Sequence, residues 1–285
     1  MILSSILSGL NAAKLWRWKL RVWGRTMQAS SLDRLVYLIL HRANLMGADE
    51  RHHLTSLVRP GMQIVDIGAN IGLYSLLLAE LAGPTGQVFA FEPEPQLYRA
   101  LQNNCRSNQT ANISTVNCAL GSAPGQVAFF RSVFNSGDNR LGGLGWKGQG
   151  LEVEMARLDD VLPNHQVDFI KMDVQGFEQQ VLKGMDKVFA ASSNLTIYFE
   201  FWPFGLRAAG TQPQHILDHL FKHGFQIYRF DKQQLVPVAG FGCLEHRLPG
   251  QKFINLLASR SSLTFGGRNQ PDQRERSDSS RRQSS

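Results

Sequence analysis

Little cysteine and no long apolar run mark this 285-residue chain. Its three cysteines, Cys105, Cys118 and Cys243, stand at none of the spacings that hold a metal ion. Their odd number suits a reducing compartment without a disulfide framework. A zinc module and a stapled secreted scaffold are thereby excluded, and a cytoplasmic location is expected. No stretch approaches the roughly 18 consecutive apolar residues of a membrane span, which excludes an integral membrane protein. What is present is a hydrophobic content of 43% against 19% charged residues, enough to build a sizeable core.

The net charge of +7 is unevenly spread. Residues 1–60 carry +6, residues 261–285 carry +2, and the segment 61–260 carries −1. The near-neutral centre speaks against a nucleic-acid partner, although the basic head leaves that alternative open. The tail from Ser261 to Ser285 holds Ser, Arg, Gln and Gly without apolar periodicity, and disorder is expected there. In the head, Ile2, Leu3, Ile6, Leu7 and Leu10 recur at helical spacing, as do Lys14, Arg17, Arg21 and Arg25. A helical N-terminal extension over residues 1–59 is therefore expected. Residues 1–25 either pack on the domain or lie peripherally on an anionic membrane surface. The apolar run precedes the basic cluster, the reverse of a secretory signal. Further helices are expected over Leu32–Leu45 and Asp49–Val58.

Pro60-Gly61 breaks the chain, and apolar strand-like runs then alternate with helical stretches up to about residue 260. Such alternation implies βαβ units and a doubly wound, mostly parallel α/β sheet. An insertion over Gly121–Leu158 is expected to form a hairpin from Val127–Arg131 and Leu151–Arg157. It brackets a glycine-rich loop around Trp146 that would close over a ring-shaped ligand or remain a plain surface loop.

The first strand of this domain runs into Asp66-Ile67-Gly68-Ala69-Asn70-Ile71-Gly72. Two glycines opening a helix give a loop that a ligand can approach at backbone distance. A dinucleotide site calls for a third glycine, where Asn70 stands, and Asp66 would repel a pyrophosphate. An acid there suits a cation, and S-adenosylmethionine carries both an ammonium and a sulfonium. Glu92 ends the second strand, 20 residues beyond Gly72, where a carboxylate can accept from both ribose hydroxyls. That acid alone fits NAD or S-adenosylmethionine equally.

Asp66–Ser75, Phe91–Pro95, Asn117–Gly121 and Ile170–Glu178 together resemble the FkbM-type methyltransferases, a branch of the class I S-adenosylmethionine-dependent enzymes. The resemblance covers about Leu54 to Phe201. It implies a Rossmann-like seven-stranded sheet with an antiparallel edge strand, and O-methylation of a carbohydrate, glycolipid or secondary metabolite. It assigns Asp66, Gly68, Ala69, Asn70, Gly72 and Pro93 to the cofactor, Glu92 to its ribose, Asn117 and Ala119 to the adenine, and Asp173 to the methionine end. Gln175 departs from the pattern, since many relatives carry Glu there.

Methyl transfer to an alcohol requires alignment and a proton acceptor. Asp173, Glu178 and Glu200 are the candidate carboxylates at the sheet's carboxyl edge; Glu178 reads equally as a helix-terminal charge, and Glu200 as the structural partner of Arg207 or Lys171. No metal is expected: His215, His219 and His223 recur at helical spacing but suit the solvated side of a helix. His52-His53 would reach an acceptor over the cofactor. A nicotinamide-dependent oxidoreductase or epimerase on the same fold, or a module that binds without turnover, are the alternatives.

Overall fold

The computed structural model describes residues 18–131, 140, 141, 149–232, 234–261 and 263. The apolar head before Trp18, the glycine-rich loop around Trp146 and the tail beyond residue 263 lie outside the described residues. The first described element corrects the helical reading of the basic head. β1 (Lys19–Val22) and β2 (Arg25–Gln28) pair as an antiparallel hairpin. Trp23 (φ 50°) and Gly24 (φ 84°) both occupy the left-handed region, as the tightest hairpin turn requires. Strand alternation then buries Val22, Arg25 and Met27 on one face. Two helices follow as expected, α1 (Leu32–Arg42) and α2 (Ala48–Leu57).

After Pro60 the chain runs β3 (Gln63–Ile67), α3 (Leu73–Ala82), β4 (Gln87–Phe91), α4 (Pro95–Ser107) and β5 (Ile113–Val116). The insertion forms its own small sheet from β6 (Ala119–Leu120), β7 (Gly125–Arg131), β8 (Arg140–Leu141) and β9 (Gln149–Ala156), with β7 and β9 antiparallel as expected. A short α5 (Leu158–Val161) leads to β10 (Phe169–Met172). The helical stretch that follows β10 is two helices, α6 (Glu178–Leu182) and α7 (Asp186–Ala191). They part at Gly184, where a Cβ would stand 2.2 Å from the Gly121 carbonyl oxygen. The buried Asp159 carboxylate accepts from Lys187 N at 3.0 Å and Val188 N at 3.1 Å, starting the second helix afresh.

β11 (Thr196–Phe201), α8 (Pro203–Ala208), α9 (Pro213–Lys222), β12 (Gln226–Asp231), β13 (Gln234–Pro237) and β14 (Ile254–Ser259) complete the chain. The main sheet has the order β13-β12-β14-β11-β10-β3-β4-β5. Strands β5 to β11 in this order are parallel, while β14 runs antiparallel between β11 and β12. The sheet thus has eight strands where seven were expected; the antiparallel edge strand is β13, paired with β12, and β14 is a second antiparallel strand inside the sheet. Leu256, Leu257 and Ala258 are all buried, so β14 needs cover on both faces. β13, exposed at both ends, takes the edge. Along β3 the faces alternate: Val65 and Ile67 join the core under α6–α9, and Ile64 joins the core under α2 and α3. The chain reverses its direction of growth between β3 and β10, which opens a crevice at their carboxyl ends.

Candidate active site

At that crevice the backbone folds tightly. Gly68 N and Ala69 N both donate to the Phe91 carbonyl, at 3.0 and 2.9 Å, and Asp173 N donates to the Ile67 carbonyl at 3.0 Å. Gly68 takes φ +81°, and a Cβ on it would stand 2.0 Å from the Asp173 carbonyl oxygen. Only glycine lets the ends of β3 and β10 approach this closely. Gly72 starts α3 at φ +88°, and Asn70 between them is also left-handed at φ 54°. Asn70 holds that conformation through its own Oδ1, which accepts from Ile71 N at 2.9 Å.

Glu92 ties this loop to the end of β4. One carboxyl oxygen accepts from Asn70 N at 2.8 Å and the other from Glu94 N at 2.9 Å. Burial pushes its carboxyl up to about 7 despite those two donors. Each carboxyl oxygen keeps a second lone pair for a ligand hydroxyl. Glu94 in turn caps α4, accepting from Leu97 N at 2.6 Å. Asn117 donates to the carbonyls of Glu92 and Pro93, at 2.7 and 3.0 Å, and so fixes the strand end from outside.

The cavity above the loop is lined by Gly68, Ala69, Asn70, Glu92, Pro93 and Asp173, all predicted from sequence. Other predicted residues stand apart from that lining. Gly72 shapes the turn from behind, Asn117 is exposed, and Ala119 is buried with Phe129 and Val153. Asp66 is fully buried beneath the loop: Ser75 Oγ donates to its Oδ2 at 2.6 Å, and Lys171 Nζ lies 3.9 Å from its Oδ1. Desolvation raises the Asp66 carboxyl, and Lys171 and Ser75 partly offset that. Asp66 is an anionic underpinning of the crevice, not a wall of it.

The three candidate carboxylates for proton transfer do converge. Gln175 Nε2 donates to Asp173 Oδ1 at 2.8 Å and to Glu200 Oε2 at 2.9 Å, bridging the two acids. Glu200 therefore pairs through Gln175, not with Arg207, whose guanidinium lies over the Phe241 ring. Burial, then the nearby Asp173 and Glu178, hold the Glu200 carboxyl well above the usual carboxylate range. Glu178 is fully buried, with Oε1 accepting from Gly176 N at 3.2 Å, and burial pushes it up to about 7. Of the three, Asp173 alone lines the cavity; its side chain is 40% exposed and its Oδ2 lies 3.8 Å from Lys171 Nζ.

Sequence reasoning missed Arg34, Tyr37, Tyr74 and Lys171, which also line the cavity. Lys171 projects its ammonium over the Tyr74 ring, 4.9 Å from the centroid. A signal for Arg34 existed: it stands four and seven residues before Leu38 and His41, both buried on the same face of α1. His53 does not reach the cavity; it stacks on Phe230 at 3.6 Å and lies 3.2 Å from the Tyr198 hydroxyl. His219 and His223 stack on one another at 4.8 Å, and no group that could hold a metal ion occurs among the described residues.

Residues 66–227 match the profile of the Methyltransferase FkbM domain. Methyltransferase sdnD of Sordaria araneosa is 30% identical over 161 residues, covering 44% of this chain and 60% of that protein. The 31-O-demethyl-FK506 methyltransferase FkbM of Streptomyces tacrolimicus is 28% identical over 161 residues, covering 45% and 61%. Hexuronic acid methyltransferase AglP of Haloferax volcanii is 29% identical over 125 residues, covering 42% and 48%. The chain thus spans about half to three fifths of the length of these relatives. Among solved structures, M. jannaschii TYW2 in complex with AdoMet aligns at 15% identity and a TM-score of 0.45, covering 85% of this chain and 84% of that one. With more than half of its length matched in one block, the chain belongs to the FkbM methyltransferase family.

Proposed function

We propose that this protein is an S-adenosylmethionine-dependent O-methyltransferase acting on a hydroxyl of a carbohydrate, glycolipid or secondary metabolite. The observation that carries the reading is one cavity floored by the tight Gly68–Gly72 loop and flanked by two carboxylates, Glu92 and Asp173. The donor fits these residues. Its ribose hydroxyls need acceptors, which Glu92 offers beyond its two backbone bonds. Its ammonium needs an anion, which Asp173 offers, and its sulfonium suits the aromatic faces of Tyr37 and Tyr74. When bound, S-adenosylmethionine supplies a methyl group already activated on sulfur.

The chain's own part is alignment and proton handling. Asp173 is the half-exposed carboxylate beside the cavity, and Lys171 and Gln175 hold it from two sides. Glu200, its carboxyl held high by burial and by the nearby Asp173, holds a proton more readily than a free carboxyl does. Asp173 then orients the acceptor hydroxyl and accepts its proton at a carboxyl oxygen. Positioning of this kind is worth roughly 7–11 kcal/mol in favourable cases. The names of two relatives, a demethyl-FK506 methyltransferase and a hexuronic acid methyltransferase, support an acceptor of this small-molecule or sugar class.

No helix among the described residues is long and apolar enough to cross a membrane. A peripheral membrane contact through residues 1–25 remains our second proposal for the head, supported by Trp18 at 66% exposure beside Lys19 and Arg21. Calorimetry with S-adenosylhomocysteine and with NAD tests the donor, and labelled methyl transfer to fractionated glycans and lipids tests the acceptor. Binding of NAD alone would favour the oxidoreductase alternative, and donor binding without product from any fraction would favour a binding module.

A further inference from the structure

The turn between β10 and α6 places one side chain by an unusual backbone. Gln175 takes φ 54°, in the left-handed region that residues with a Cβ enter at a cost, and Gly176 beside it takes φ 101°. The turn is pinned against α8, since a Cβ on Gly176 would stand 2.5 Å from the Gly205 carbonyl oxygen. Held this way, the Gln175 amide lies against two acids: Nε2 donates to Asp173 Oδ1 at 2.8 Å and to Glu200 Oε2 at 2.9 Å. A primary amide has two N–H groups, and both are used. Turned over, it would set its own oxygen against two carboxyl oxygens, so the acids fix its orientation.

What Gln175 leaves for a ligand is Oε1, which can only accept and has no hydrogen-bond partner among the described residues. Gln175 lines the cavity together with Asp173, whose carboxylate also only accepts. Amide bond lengths put Oε1 about 2.2 Å from Nε2, and hence no more than about 5 Å from Asp173 Oδ1. One hydroxyl has a single proton to give and would leave one of these two acceptors unmet. Two hydroxyls on adjacent carbons meet both. We propose that Gln175 Oε1 receives a second hydroxyl of the methyl acceptor, on the carbon next to the one that is methylated, so that the protein selects vicinal diols over isolated alcohols. The inference rests on reading Asp173 as the group that takes the reacting hydroxyl's proton. An acceptor without the second hydroxyl would leave Oε1 stripped of water and unpaired in the filled cavity.

Labelled methyl transfer to fractionated glycans and lipids supplies the product, and mass spectrometry locates the new methyl ether. It should stand beside a free hydroxyl on the neighbouring carbon; a methyl ether without a hydroxyl neighbour would overturn the assignment. Two probes then follow, the methyl glycoside of the sugar that took the label and its analogue lacking the neighbouring hydroxyl. The parent should prefer the first by about 3- to 10-fold in kcat/KM, the range of one hydrogen bond. Gln175→Met should abolish that preference, whatever it does to the rate itself. A residue that only braces Asp173 and Glu200 would, when replaced, slow both probes alike and keep the preference, and that result would overturn the assignment. So would a parent that prefers neither probe, a result that needs no variant to fold. Should Gln175→Met fail to fold, Gln175→Gly, which suits the left-handed backbone, carries the same comparison. A parent that transfers label to no fraction would refute the methyltransferase reading itself, an outcome distinct from transfer without discrimination.

Discussion

Raising the pH from 4.5 to 7 should weaken the fold through Glu92. This carboxyl is 4% exposed, and burial lifts it from 4.5 to about 7 even though Asn70 N and Glu94 N donate to it. Between those values the native state keeps a proton that the unfolded chain has already released. Stability therefore falls with rising pH across the window and levels off above it. At 1.36 kcal/mol per pH unit, the loss amounts to roughly 3 kcal/mol. Glu178, also raised to about 7, adds a slope of the same sign, so the parent's profile alone does not isolate Glu92. Glu92→Gln removes one titration and leaves the other. Urea unfolding of parent and variant at several pH values gives the difference directly. That difference should move by about 3 kcal/mol in the variant's favour between pH 4.5 and 7. A difference that stays flat would refute the burial argument. The same proton acts on binding: if ribose hydroxyls donate to the ionised form, affinity for S-adenosylhomocysteine should fall about 10-fold per pH unit below 7.

Gly68→Ala should cost at least about 2 kcal/mol in urea unfolding, because its Cβ meets the Asp173 backbone oxygen at a positive φ. Gly72→Ala should cost less, since the atom it meets is the flexible end of Leu101; equal costs would refute the close approach of β3 and β10. Asp159→Ala strips two backbone donors at the start of α7 and its ion pair with Arg157. It should lower stability by about 2 kcal/mol while leaving calorimetric affinity for S-adenosylhomocysteine unchanged. Ser75→Ala removes the donor to a buried carboxylate whose other oxygen has no hydrogen bond. A loss of about 1–3 kcal/mol is expected, largest at high pH, because the Asp66 carboxyl is then pushed still higher.

The parallel strands were legible where apolar runs fill both faces of the sheet, as Ile64–Val65 do in β3 and Val88–Phe91 in β4. The glycine loop, Glu92 and Asp173 were legible because they sit at strand ends, where a short motif fixes backbone and side chain together. Legibility failed where distant contacts decide. The basic head has helical spacing, yet the left-handed Trp23-Gly24 pair makes it a hairpin whose ends dock on α4 through Asn104 and Asn108. Gly184 splits a plausible helix because it must pass Gly121, 63 positions earlier. Asp66 carries a motif position but points beneath the loop, because Ser75 and Lys171 compensate its charge there.

The four charged side chains of the cavity are held in two different ways. Glu92, Lys171 and Asp173 stand on or just beyond strands β4 and β10, and the sheet register fixes their spacing: Asp66 on β3 pairs with Lys171 on one side and Ala90 on the other. Arg34 stands on α1, which packs through Leu38 against residues of α3 and α4, and its Nη1 lies 3.3 Å from Asn70 Oδ1. Sheet register cannot shift gradually, since a one-residue slip turns every side chain to the opposite face. A helix packed on an apolar surface tolerates volume-conserving change at modest cost. The floor of the site is thus rigidly specified within the matched segment, whereas its roof is set by an extension outside that segment. Pro60 marks a change in sequence pattern but not a boundary of the site, because the cavity is complete only when residues on both sides of it are folded together.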